Sequence, residues 1–162
     1  MSMIFEMIVV TNGELEKLLT NPDDVSTLID DVHESKRFSL EKTWHGLQFL
    51  LTGTAWGGAP PLNFIVGGEA IEGVDMGYGP AKAFRSSQVK ELSVALEQLS
   101  ADDLRRRFDV RTMMSLEIYP TIWDRDPKDD DTLGWLLSSF EELKSFVGNA
   151  AQGGHGLVTY MS

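Results

Sequence analysis

Apolar positions follow two different periods along this chain, and the changes between them divide it into elements. Residues 3–10 (MIFEMIVV) are β-rich and apolar on both faces apart from Glu6, the pattern of an inner strand. Residues 157–161 alternate as a closing strand after the turn Gly153-Gly154-His155-Gly156. Neither strand can bury two apolar faces alone, so the two are predicted to share one sheet. Between them the helical period dominates. Thr11 and Glu14 form a capping box ahead of Leu15, Leu18 and Leu19, and Pro22, Asp23 and Asp24 open a second helix with Val25, Leu28 and Ile29 on its apolar face. After a polar stretch at 33–37, a helix is expected over 40–52, stopped by Gly53.

Further along, Ser86 or Ser87 is expected to cap a helix carrying Val89, Leu92, Leu96 and Leu99. Ser100 and Asp103 form another capping box, ahead of Leu104 and Phe108. Residues 112–119 fit helix or strand equally, and Pro120 pushes Tyr119 towards an extended conformation. Leu133, Leu136, Leu137, Phe140, Leu143 and Val147 mark the clearest amphipathic helix, with Asp131 at the end of an acidic loop as its cap. Helices outnumber strands and the strands sit at the termini, so the expected class is α+β, with residues 1–162 as a single, mostly helical domain around a small sheet.

Residues 54–80 break both periods. They are rich in glycine and contain Pro60, Pro61 and Pro80, yet Trp56, Phe64, Ile65, Val66, Ile71 and Tyr78 make them too apolar for a solvated tether. Residues 62–66 fit a short strand or a helical turn; the remainder reads as an irregular segment of the kind that often carries function.

Composition narrows the chemistry. With no cysteine among 162 residues, thiol catalysis, disulfides and cysteine-ligated metal centres are excluded. Fourteen Lys+Arg against 25 Asp+Glu give a net charge of -11, which disfavours nucleic acid as a partner. Glu6 interrupts the first apolar run, no basic region precedes it, and no stretch reaches the roughly 18 apolar residues of a membrane span. A cytoplasmic protein without membrane association is therefore expected.

Most catalytic signatures fail on inspection. His33, His45 and His155 are far apart and form no His-x-x-x-His pair, and no Gly-x-Ser-x-Gly elbow is present. Gly77-Tyr78-Gly79-Pro80 begins like a phosphate loop, but Pro80 removes an amide such a loop uses. Counted as a calcium loop from Asp124, the acidic stretch puts Lys128, Asp129 and Trp135 where an oxygen ligand, glycine and glutamate belong. Arg105, Arg106 and Arg107 are flanked by Asp102, Asp103 and Asp109 and read as a helix face with local ion pairs. No metal and no cofactor is expected.

The helix expected over 40–52 has one unusual feature. At about 100° per residue, Glu41, His45, Gln48 and Thr52 fall within an arc of about 60°, between Phe49 and a broad face of Trp44, Leu47, Leu50 and Leu51. Such a polar lane fits a solvated stripe with Glu41 and His45 paired, the reading the pattern favours, or the wall of a pocket closed by residues 54–80.

The string Trp44-His45-Gly46-Leu47-Gln48-Phe49-Leu50-Leu51-Thr52-Gly53 resembles the signature of the YfbM-like family of bacterial domains. The Met-x-Met-Ile start, Tyr78-Gly79-Pro80-Ala81, Glu117-Ile118-Tyr119-Pro120 and the late amphipathic helix extend the resemblance over the whole chain. It implies a small cytosolic α+β protein and no established activity. Members of that family often carry histidine where this chain has Gln48, and glutamine cannot exchange a proton near neutral pH. That difference favours binding over catalysis.

Two functions remain open on these grounds. The first is a binding or inhibitory module of immunity type, whose acidic surface suits a basic protein partner. The second is an enzyme acting on a small polar or nucleotide-derived molecule, with Trp56, Tyr78 and Tyr119 stacking a flat ligand and His45 and Glu117 supplying acid–base chemistry. The candidate pocket comprises His45, Gln48, Thr52, Trp56, Tyr78, Glu117 and Tyr119.

Overall fold

The computed structural model describes residues 2–162. In chain order the elements are β1 (Phe5–Val10), α1 (Asn12–Thr20), α2 (Asp24–Asp31), a single 3-10 turn (Glu34–Lys36), β2 (Arg37–Glu41), α3 (Trp44–Thr52), β3 (Glu69–Ala70), β4 (Lys82–Phe84), α4 (Ser86–Glu97), α5 (Ala101–Arg107), α6 (Val110–Ser115), α7 (Thr132–Gln152) and β5 (Gly156–Met161). The strands form one antiparallel sheet in the order β2-β1-β5-β4-β3, so the expected α+β class holds.

The terminal strands pair directly, from Phe5 opposite Met161 to Val10 opposite Gly156. Helices cover both sides of this pair, which is why residues 3–10 lack polar alternation. Phe5 and Met7 point into a large core with α3, α4 and α7, where Trp44, Leu50, Leu92, Leu136 and Phe140 are buried. Ile8, Val10, Val158 and Tyr160 point the other way, onto Leu15, Leu18 and Val25 of α1 and α2.

Local signals set several boundaries as expected. Thr11 Oγ1 accepts from the Glu14 amide at 3.1 Å while Glu14 accepts from the Thr11 amide at 2.9 Å; Ser100 and Asp103 repeat the exchange at 3.1 and 2.8 Å. Asp131 accepts from the Gly134 amide at 2.9 Å and caps the 21-residue α7. Arg105 pairs with Asp102 and Arg106 with Asp103, while Arg107 donates to the Leu50 carbonyl at the end of α3.

Three expectations need correction and one open choice is decided. The helix predicted over 40–52 begins at Trp44, because Leu40 and Glu41 belong to β2 and are drawn into pairing with β1; Glu41, at φ 51°, ends that strand. Glu41 is exposed and shares no lane with His45. The cap of α4 is Arg85, whose amide donates to Gln88 Oε1 at 2.7 Å, rather than Ser86 or Ser87. Of the ambiguous stretch 112–119, residues 112–115 take the helical alternative, as the end of α6, which Asp109 caps. Finally, the 54–80 segment is less irregular than its composition suggests. Residues 60–66 turn helically, with the Gly67 amide on the Asn63 carbonyl at 2.8 Å, and β3 then joins β4 at the sheet edge.

One glycine fixes the placement of α3. A Cβ on Gly46 would sit 2.7 Å from Leu136 Cδ2 and 2.8 Å from Trp123 Cη2, so α3 lies hard against α7 with no room for a larger residue.

Candidate functional site

The polar lane on α3 is buried. His45 is 1% exposed and Gln48 fully buried, which overturns the solvated-stripe reading. Its polar atoms turn to the chain that follows the helix. Gln48 Nε2 donates to the Gly57 carbonyl at 2.9 Å and to Thr52 Oγ1 at 3.1 Å. Thr52 Oγ1 also receives the Thr54 amide at 3.2 Å and donates to the Gln48 carbonyl at 2.8 Å. Gly58, at φ 102°, lies so close that a Cβ there would approach Thr52 Cβ to 2.7 Å. Residues 54–58 are thus docked on the lane by backbone hydrogen bonds.

His45 completes that docking and couples it to a third element. Its Nε2 is 3.0 Å from the Ala55 carbonyl, and its Nδ1 is 2.7 Å from the Tyr119 amide. A carbonyl only accepts and an amide N–H only donates, so the ring carries its proton on Nε2 and is neutral. Burial, the larger influence, pushes its pKa below the usual 6.5, and the bond to Ala55 opposes this in part. Both nitrogens are committed, which removes His45 from acid–base work.

Around it stands a file of aromatic rings. Tyr119 stacks on Trp44 at 5.6 Å between centroids, Trp44 on His45 at 4.7 Å, and His45 meets Trp56 at 4.5 Å. Trp44 Nε1 donates to the Met3 carbonyl at 2.9 Å, and the Met3 amide donates to Tyr119 Oη at 3.1 Å, tying the start of the chain to this file. Trp44 is fully buried as expected; Trp56, at the other end, is 63% exposed.

The seven residues singled out from sequence therefore separate into groups. His45 and Gln48, buried, and Thr52 and Tyr119, half-buried, form the clamp. Glu117 is exposed, at φ 53°, and among the described residues no hydrogen bond or ion pair ties its carboxylate to the clamp. Trp56 and Tyr78 line a cleft of about 230 Å³ on the outer side of the docked segment.

That cleft contains residues the sequence did not reveal. Phe5 and Pro80 add apolar wall, and Lys82 and Thr159 contribute the polar groups. Lys82 of β4 lies directly opposite Thr159 of β5, so both side chains project from the same face of the sheet. Thr159 is 1% exposed and its Oγ1 is buried without a hydrogen-bond partner. No spacing rule connects positions 5, 56, 82 and 159; strand pairing brings 5, 82 and 159 together, and the docking of residues 54–58 on α3 adds Trp56. Tyr160 also borders the cleft, but its hydroxyl accepts from Arg37 Nη1 at 2.6 Å on the far side of the sheet; burial and Glu6 push its pKa far up, so it stays protonated.

A second concavity, about 220 Å³, opens among Glu14, Ser35, Lys36, Asn149 and His155. Its carboxylate is already engaged: the Thr11 amide, more than any other group, holds the Glu14 pKa low, with Lys36 and His155 adding a smaller pull. Among the described residues, no cluster of three or more His, Asp or Glu is placed to hold a metal, and no helix is long and apolar enough to cross a membrane.

The fold is shared with proteins similar over the whole chain. Protein YfbM of Escherichia coli (strain K12) is 25% identical over 167 residues, covering 97% of both chains. The crystal structure of YfbM from Escherichia coli, described as a protein of unknown function, superposes with a TM-score of 0.77 at 21% identity and covers 98% of this chain and 99% of that one. The family described as a domain of unknown function (DUF1877) matches residues 1–160, and the chain belongs to that family.

Proposed function

We propose that this protein is a small-molecule binding module, with residues 1–162 acting as one unit and the ligand lying in the cleft between Trp56, Tyr78 and the β4–β5 side of the sheet. Trp56 carries this reading. A tryptophan 63% exposed forfeits much of the burial free energy its side chain could supply, yet its neighbours Ala55 and Gly57 are bonded to His45 and Gln48 and hold it in place. A large, flat, fixed apolar ring facing a concavity is the common equipment of ligand sites. The alternative of acid–base catalysis in the α3 lane loses its base, because both nitrogens of His45 are occupied by backbone groups.

A thermal-shift screen of small metabolites against the wild-type protein and Trp56→Ala tests the reading. Compounds that raise Tm of the wild type and lose the effect in W56A support it. Hits indifferent to W56A, or no hit at all across the screen, overturn it.

A further inference from the structure

We infer that the cleft selects a ring compound bearing a single carboxylate, with Lys82 and Thr159 receiving the carboxylate and Trp56 and Tyr78 flanking the ring. This rests on the cleft being a ligand site and adds the chemical class of the ligand. Lys82 supplies the charge: among the described residues lining the cleft it is the only ionisable group of either sign apart from the two tyrosines, and no carboxylate pairs with it. A monoanion is therefore attracted without having to displace an existing ion pair.

Thr159 supplies the second contact. A buried hydroxyl left without a partner keeps its desolvation cost uncompensated, and such groups are uncommon in folded chains. Directly paired positions in an antiparallel sheet hold their Cβ atoms about 4.5–5.5 Å apart. The ammonium of Lys82 and the hydroxyl of Thr159 can therefore address the two oxygens of one carboxylate, which accepts from both. Thr159 Oγ1 lies beyond the reach of bulk water, so an incoming oxygen reaches it by displacing the half-buried Lys82 side chain beside it, while Trp56 keeps its place. The volume of about 230 Å³ limits the ligand to roughly one ring, below the usual range for drug-sized sites.

The test is a titration of the full chain with benzoate, its neutral isostere benzamide, and benzylamine, followed by tryptophan fluorescence and calorimetry. Benzoate is expected to bind at least fivefold more tightly than benzamide, and benzylamine more weakly than either. Lys82→Gln is expected to erase the preference for benzoate. Thr159→Val is nearly isosteric: it should raise Tm of the free protein, because the orphan hydroxyl is gone, and weaken benzoate at least threefold. Equal affinity for benzoate and benzamide, or a benzoate preference that survives K82Q, overturns the carboxylate assignment while leaving the cleft intact as a ligand site. Benzoate affinity unchanged in T159V overturns the role of the hydroxyl. No binding of any of the three rings overturns the assignment outright, and the metabolite screen with W56A then decides separately whether the cleft binds another class.

Discussion

The α3 clamp and the outer cleft are separated by the thickness of one loop, and they treat polar groups in opposite ways. In the clamp, His45, Gln48 and Thr52 spend nearly all their hydrogen-bonding capacity on one another, on the Gln48 carbonyl and on residues 54–57 and 119. Gln48 Oε1 is the exception, buried without a partner. In the cleft, mostly apolar walls surround a lysine without a counterion and a threonine hydroxyl without a partner. The polar atoms of the clamp, conspicuous in sequence, are bonded almost entirely within the fold, whereas Lys82 and Thr159, inconspicuous in sequence, have no such partners. A cluster of polar residues on one helix face therefore says little about function until the partner of each atom is known.

The contrast between the two regions is sharpest in their tryptophans. Trp44→Ala should cost about 3–5 kcal/mol in urea-denaturation stability, because the ring is fully buried and packs between Tyr119 and His45. A loss below about 1 kcal/mol would show that the stack bears no weight in the core. His45→Leu comes next: it leaves the Tyr119 amide and the Ala55 carbonyl without partners, each at about 1–3 kcal/mol, and should expose residues 54–58 to faster amide hydrogen exchange. Unchanged exchange there would dissolve the clamp as a unit.

Protonation probes the same joint more gently. Because burial holds the folded pKa of His45 below 6.5, the unfolded chain takes up its proton first as pH falls. The stability contributed by this residue is complete above pH 6.5 and declines below it, until the folded ring itself protonates. Denaturation midpoints measured between pH 7.5 and 5 should decline in the wild type more steeply than in His45→Gln. Parallel curves would contradict the neutral assignment. The smallest effect belongs to Trp56→Ala, expected to change stability by about 0.5 kcal/mol or less because most of the ring is already in water. A cost as large as that of Trp44→Ala would erase the distinction between the two sites.

The elements legible in the sequence are those whose signals are local. Thr11–Glu14, Ser100–Asp103 and Asp131 announce helix starts because a cap is an exchange between residues three apart, and Gly53 announces a stop because the left-handed turn at φ 76° suits glycine. The doubly apolar run at 3–10 likewise requires cover on two faces, and helices provide it. Leu40 and Glu41 fit the helical pattern yet are strand, because their conformation comes from pairing with β1, a contact invisible in a window centred on 40–52. β3 and β4 are too short to carry a period at all, and the sheet edge supplies what their sequence lacks.

The same division runs through the candidate sites. The sequence by itself determined the α+β class, the terminal strand pair, the burial of Trp44 and the existence of a polar lane from His45 to Thr52, since each follows from neighbours a few residues apart or from the need to cover an apolar face. Only the tertiary structure decided that the lane faces its own loop, because hydrogen-bond partners are set by which backbone arrives there. It also decided that Lys82 and Thr159 stand side by side, because antiparallel register joins positions 77 residues apart in the chain that no local pattern connects.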